Sequence, residues 1–291
     1  LGIIYKNEKF GGDMIREIKK TVEGARAVDG AGVNLVRVIG HKDVEDFDPF
    51  LMLDAFDSTN PEDYIKGFPW HPHRGIETIT YLINGDIEHG DSLGNKGSIK
   101  DGCCQWMTAG RGIMHQEMPQ ASDRMLGTQL WLNLPAKDKM TEPAYCDITN
   151  DMVPVVHENN AEIRVISGDY KENTSTVFGN YVKMLYLDVS LKPNAVWNLK
   201  IDSDNTLFVY IVEGEGFFGT SEELVKSRRA LLFGEGDEFK VKASDSEIRF
   251  FLHAAKPLKE PVAWGGPIVM NTREQLNQAF KELEEGTFIT H

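Results

Sequence analysis

GFPWHPHRGIETITYLINGD, residues 67–86, decides how the chain is read. Two histidines, His71 and His73, stand either side of Pro72, and a β-branched run follows at once. Side chains alternate across a strand, so residues i and i+2 share a face. Pro72 has no amide hydrogen and biases His71 away from helix, which places this segment at a strand start or a sheet edge. Two imidazoles then project together at the mouth of a strand.

Working outward, short apolar runs dominate: VNLVRVIG (33–40), ETITYLING (77–85), LWLNLP (130–135), KMLYLDVSL (183–191), TLFVYIVEG (206–214) and IRFFLHA (248–254). Gly, Asp and Asn punctuate them at short spacing, the pattern of an all-β sandwich or barrel. The clearest helical segment is NTREQLNQAFKELEEG (271–286). Thr272 and Gln275 make a capping box, Leu276, Phe280 and Leu283 form one stripe, and Gly286 supplies the stop. It predicts a short C-terminal helix docked on the β structure.

Two stretches, beginning at Thr80 and Val209, repeat the order strand, glycine turn, strand, loop, strand. Their spacing is that of one small domain. The proline-bearing segment around residues 136–150 reads as a linker, which divides the chain into 14–140 and 141–291. Residues 1–13 precede Met14 and are expected to be a leader or a modest extension.

The formal net charge of −14 argues against a basic phosphate-binding surface, and the short cluster Lys226, Arg228 and Arg229 reads as a solvated loop, so direct nucleic-acid binding is not expected. No apolar run approaches the roughly 20 residues that cross a membrane, and no secretory signal is visible. The three cysteines, Cys103, Cys104 and Cys146, are too few and too oddly spaced for a disulfide framework. Cys103 and Cys104 should point to opposite faces of a strand. A reducing, cytoplasmic setting is the expectation.

Downstream, TAGRGIMHQEMP (108–119) puts His115 and Glu117 in the same i, i+2 relation as His71 and His73. Two such pairs on facing strands bring three imidazoles and one carboxylate together, a donor set for one divalent transition metal among Fe, Mn, Co, Ni, Cu and Zn. Glu77 shares parity with the histidine pair and is a rival carboxylate, unless Gly75 breaks the alternation. The second copy carries only His253, expected to be a satisfied polar group or a surface residue. Phe68, Trp106 and Trp131 are candidates for an apolar pocket wall or for core. Arg74 is expected either to anchor a ligand oxygen or to pair with an acid. Ala109, Gly110 and Gly112 suit a tight turn.

HPHRGIETITYLINGD resembles the first cupin motif, and QWMTAGRGIMHQEMP the second motif in its pirin form. With DPFLMLDAFD and EPVAWGGPIVMNT, the resemblance to the pirin family covers nearly the whole chain. It implies a bicupin: two face-to-face jelly-roll β-barrels, the first binding metal and the second without ligands. It implies His71, His73, His115 and Glu117 as metal ligands, iron as the first-choice ion, and Glu77 outside the set. Glu117 would also be the catalytic base. The family implies two kinds of activity. One is a quercetin 2,3-dioxygenase acting on a small aromatic substrate and O2. The other is an iron-dependent transcriptional coregulator with protein partners, nuclear if the source is eukaryotic.

Overall fold

The computed structural model describes residues 14–177 and 179–290, so the expectation for residues 1–13 lies outside the described residues. Each half of the chain builds one seven-stranded and one four-stranded sheet. In the first half, the large sheet runs in the order Ala144–Ile148, Cys104–Thr108, Ile76–Asn84, Met125–Asn133, Phe50–Ser58, Val33–Ile39, Ala25–Asp29. The small sheet runs Phe68–His73, Ile113–Pro119, Ile87–Asp91, Lys96–Ile99. The second half repeats this plan, with Arg229–Phe233, Thr206–Glu213, Ile248–Ala255 and Met184–Leu191 inside its large sheet. Two jelly-roll units result, all-β apart from short helical turns and the helix Arg273–Glu285. Among the described residues, no helix is long and apolar enough to cross a membrane.

The two large sheets lie face to face, which explains why their strands read as continuous apolar runs rather than as alternation. In Ile76–Asn84, Ile79 and Tyr81 face the other half, and Leu82 faces its own small sheet. In Thr206–Glu213, Phe208 and Tyr210 face across, and Leu207 and Val209 face inward. One cluster of buried side chains therefore spans both halves, with Tyr81 packed edge-on against Tyr186 and Phe251.

Segments of the chain cross the division expected near residue 140. Ile18–Glu23 pairs with Arg229–Phe233 and so joins the second half's sheet. The expected linker contains Ala144–Ile148, which pairs with Cys104–Thr108 at the edge of the first half's sheet. The hairpin Ala263–Gly265 and Ile268–Met270 returns to the first half, where Val269 packs with Met52, Ile76 and Trp131. The helix that follows begins on the Thr272–Gln275 capping box and ends at Gly286 in the left-handed conformation, as its sequence predicts. It buries Leu276 and Ala279, whereas Phe280 stays 36% exposed at the margin. Cys103 and Cys104 are free and pack into different clusters, consistent with strand alternation.

His253 corrects its expectation. It is fully buried between the halves, both ring nitrogens lack a hydrogen-bond partner, and its ring stacks on Phe208 at 4.4 Å. Burial pushes its pKa down to about 3. The ring is therefore neutral when folded. Below its ordinary value of 6.5 the unfolded chain takes up a proton that the folded chain refuses, so stability falls as pH drops from 6.5 towards 3. Replacing His253 by Leu should raise stability at pH 7 by about 1–2 kcal/mol, because an unsatisfied buried polar group is removed. It should also flatten the acid slope. Urea unfolding at pH 7 and pH 5 checks both, and a less stable His253→Leu protein would show that ring stacking outweighs the orphaned nitrogens.

Candidate metal centre

Phe68–His73 and Ile113–Pro119 are antiparallel neighbours, with His115 opposite His71 and Ile113 opposite His73. This register brings the three imidazoles together. Their ring centroids lie 4.3–4.9 Å apart, and one ligand atom from each falls within 4.8 Å of the others. Gly75 turns the chain immediately after the histidine strand. Its φ is +78°, and a Cβ there would lie 2.0 Å from the Val269 carbonyl oxygen. Only glycine suits that corner.

Two backbone carbonyls set the ring chemistry. His71 Nδ1 lies 2.8 Å from the Pro69 oxygen and His73 Nδ1 lies 3.0 Å from the Pro267 oxygen. A carbonyl only accepts, so Nδ1 carries the proton and Nε2 keeps a lone pair in the neutral ring. The two Nε2 atoms face one another at 3.1 Å. His115 Nε2 is buried without a partner. Burial, then the neighbouring rings, push His73 down to about 3 and His115 well below the usual range. Ring nitrogens whose lone pairs converge in this way repel until a cation is placed among them. The residues therefore fit a metal ion, through nitrogen donors suited to a transition metal.

Glu117 is buried beside this group but outside the three-histidine cluster. Gln129 Nε2 donates to both of its carboxylate oxygens, at 2.9 and 2.8 Å, and Thr80 donates to one at 3.1 Å. The Gln129 carbonyl accepts from the Trp131 indole at 3.3 Å, which fixes the direction of the amide.

Glu77 faces the other way. The turn at Gly75 breaks the parity, and Glu77 shares the face of Ile79 and Tyr81, opposite Leu132 and Thr108 on the neighbouring strands. Thr108 donates to it at 2.6 Å. Trp106 lies on that same inter-half face as part of the core and does not line the histidine cavity.

His71 and His73 open onto a cavity of about 530 Å³, with His115 and Glu117 behind its wall. His71, His73, Gln129 and Trp131 form part of its wall, with Phe68 and Trp264 among the aromatic lining. The Trp264 ring stacks on His41 at 3.7 Å. Asp29, Arg37 and Asp54 supply its charged wall. Arg74 turns away from it. Its guanidinium is buried against the C-terminal helix, bonded to Glu282 at 2.6 Å and the Phe288 carbonyl at 3.1 Å, with the Phe288 ring beneath it. Of the two roles expected for Arg74, pairing with an acid is the one found. Gly110 and Gly112 serve close approach to Thr141 and Phe288 rather than to the histidines.

The sequence alone did not indicate Pro267, Gln129, Arg37 or Trp264. A backbone carbonyl carries no sequence signal. Asp54 carried one, as a lone charge inside the apolar run FLMLDAF.

The pirin family model matches residues 32–132, and the pirin C-terminal cupin domain matches residues 186–289. A pirin-like protein of Caulobacter vibrioides is 42% identical over 94% of this chain and 99% of its own length. A Pseudomonas aeruginosa protein provisionally named as a quercetin 2,3-dioxygenase is 41% identical over 93% and 97%. The crystal structure of a quercetin 2,3-dioxygenase from Acinetobacter baumannii superposes with a TM-score of 0.85 at 28% identity, covering 94% of this chain and 98% of that one.

The orientation of Glu77 has a measurable consequence. Burial pushes its pKa up to about 7, against hydrogen bonds from Thr108 and Trp106 that lower it. Between 4.5 and 7 the unfolded chain loses a proton that the folded chain keeps, so stability falls as pH rises through that window. Each unit of difference corresponds to about 1.4 kcal/mol. Glu77→Gln should remove this decline and leave bound metal unchanged. Unfolding at pH 5 and pH 8, with elemental analysis of the folded protein, tests it; metal loss without unfolding would return Glu77 to the ligand set.

Proposed function

The chain belongs to the pirin family, and from that premise we propose that it is a metal-dependent dioxygenase that opens the heterocycle of a flavonol such as quercetin. The observation that carries the reading is the convergence of three imidazoles, two of which line an aromatic-walled cavity of about 530 Å³. That volume lies in the range of small-molecule sites. The names of the Pseudomonas and Acinetobacter proteins support the same chemistry.

His71, His73 and His115 would hold one divalent transition metal, iron first, with Glu117 as the fourth ligand. Bound there, the ion supplies Lewis acidity to the substrate hydroxyl and a redox-competent centre for O2. Phe68, Trp131 and Trp264 hold a flat ring system and exclude water from it. Glu117 accepts the proton of the flavonol 3-hydroxyl, the general-base role. Gln129 keeps the carboxylate aimed by donating to it from the pocket wall. Both atoms of O2 end in the ring-opened ester, and one ring carbon leaves as carbon monoxide.

The ligand assignment and the base assignment separate experimentally. Wild-type protein should carry one metal per chain, and His115→Ala should lose it. Glu117→Gln keeps an oxygen donor but not the basicity. It should lower metal affinity modestly and quercetin-dependent O2 uptake by about 10²–10⁴-fold. No O2 uptake by iron-loaded wild type would overturn the enzyme reading and point to a metal-responsive interaction protein. Full metal content in His115→Ala would overturn the ligand set.

A further inference from the structure

The charged wall of the histidine cavity is a built group. Arg37 grips Asp54 with two bonds, Nε to Oδ1 at 2.9 Å and Nη2 to Oδ2 at 2.7 Å, and the same Nη2 reaches Asp29 Oδ2 at 2.7 Å. Asp54 is 4% exposed, in the middle of the strand Phe50–Ser58, on the face that looks into the first half. Asp29 is about half exposed at the rim, and its other oxygen accepts from the Gly30 amide at 2.7 Å. All three residues line the cavity together with His71 and His73.

Two carboxylates against one guanidinium leave this wall with a net negative charge. A divalent ion held by the histidines would add its own positive charge to the cavity, so the surplus belongs to this wall and not to the whole site. Arg37 spends three contacts on the two acids. Each carboxylate oxygen offers about two lone-pair directions, and Arg37 and Gly30 occupy only part of that capacity. The wall can therefore accept hydrogen bonds from ligand hydroxyls, but it presents a surplus negative charge to any anion brought beside it. Phe68, Trp131 and Trp264 supply aromatic surface along the rest of the lining.

We propose that the Arg37–Asp54–Asp29 group determines specificity. It makes the cavity selective for neutral, flat aromatic molecules bearing several hydroxyls, over the same molecules carrying an anionic substituent. The proposal rests on the reading of this cavity as the substrate site. Asp29 and Asp54 receive O–H donors, and Arg37 holds both acids in place. An anionic substituent meets like charge and binds about 10- to 100-fold more weakly, the scale on which like-charge contacts act in recognition.

Binding tests this without turnover. Metal-loaded protein is titrated anaerobically with quercetin and with quercetin 3′-sulfate, which keeps the 3-hydroxyl free; quenching of tryptophan fluorescence reports occupancy, since Trp131 and Trp264 line the cavity. Wild type should bind quercetin at least 10-fold more tightly than the sulfate. Asp29→Asn preserves shape and removes the surplus charge at an exposed position, and it should bring the two affinities close together. Equal affinities in wild type overturn the proposal. So does a preference that survives intact in Asp29→Asn, because selectivity would then be steric. If neither ligand binds, this proposal and the reading of the cavity as the substrate site both fall. Selective binding without O2 uptake would leave the proposal standing and remove only the dioxygenase.

Discussion

Two carbonyl oxygens, those of Pro69 and Pro267, hold the imidazoles of His71 and His73 by their Nδ1 atoms. That constraint turns two histidines into a pair of lone-pair donors aimed at one point. It also explains the course of the chain. Pro267 sits between the strands Ala263–Gly265 and Ile268–Met270, so the site is complete only when the C-terminal segment has returned to the first half. Lys139 fastens that return. It is buried, and its Nζ donates to the Gly75 carbonyl, the Asn133 side chain and the Val269 carbonyl at 2.6–2.9 Å. Arg74 fastens the helix beyond it through Glu282 and Phe288. The two basic side chains immediately around the histidine turn therefore bind backbone, Asn133 and helix, not ligand.

A second constraint becomes visible only when the strands are paired. Arg37, Asp54, Gln129, Thr80, Gln105 and Asp147 are successive cross-strand partners, so they form one polar row across the large sheet of the first half. The flanking rows are largely apolar. Met52, Trp131 and Met107 lie on one side, Phe56 and Leu82 on the other. A buried polar group costs free energy unless it is bonded, and the row meets that demand through Arg37–Asp54, Gln129–Thr80 and Glu117, while Gln105 Oε1 is left without a partner. Its centre cradles Glu117 through Gln129 and Thr80. One end is the charged wall of the cavity. At the other, Asp147 accepts from Tyr145, whose hydroxyl lies 2.5 Å from His89 Nε2.

Much of this was legible in the residue pattern, and the rest was not for a definite reason. The strands, the capped helix and the grouping of His71 and His73 with His115 follow from local rules: period two, a capping box, an H-x-H pair beside a glycine turn. Glu77 could not be placed by parity, because one glycine at positive φ reverses every face that follows it. The register across seven strands, and with it the polar row, depends on pairings between residues far apart in sequence. His253 was expected to be satisfied or exposed because a lone histidine usually is. Its burial is imposed by the contact between the two large sheets, which no local pattern encodes.

That contact also explains how one plan yields two different interiors. Both halves place a four-stranded sheet over the inner face of a seven-stranded one. In the second half the space between them is filled by rings: Trp197 and Phe218 each pack on Phe239 and Phe250, and Phe233 closes on Phe239. The Trp197 indole donates to Tyr170, which donates in turn to Glu158, so the polar edge of that ring is discharged towards the edge strand. In the first half the equivalent space holds imidazoles and a carboxylate, which do not pack as hydrocarbon and require partners. The second half supplies the dry face on which the first half's large sheet rests, and the segment beyond it supplies the carbonyl that orients His73. A filled unit thus braces an open one.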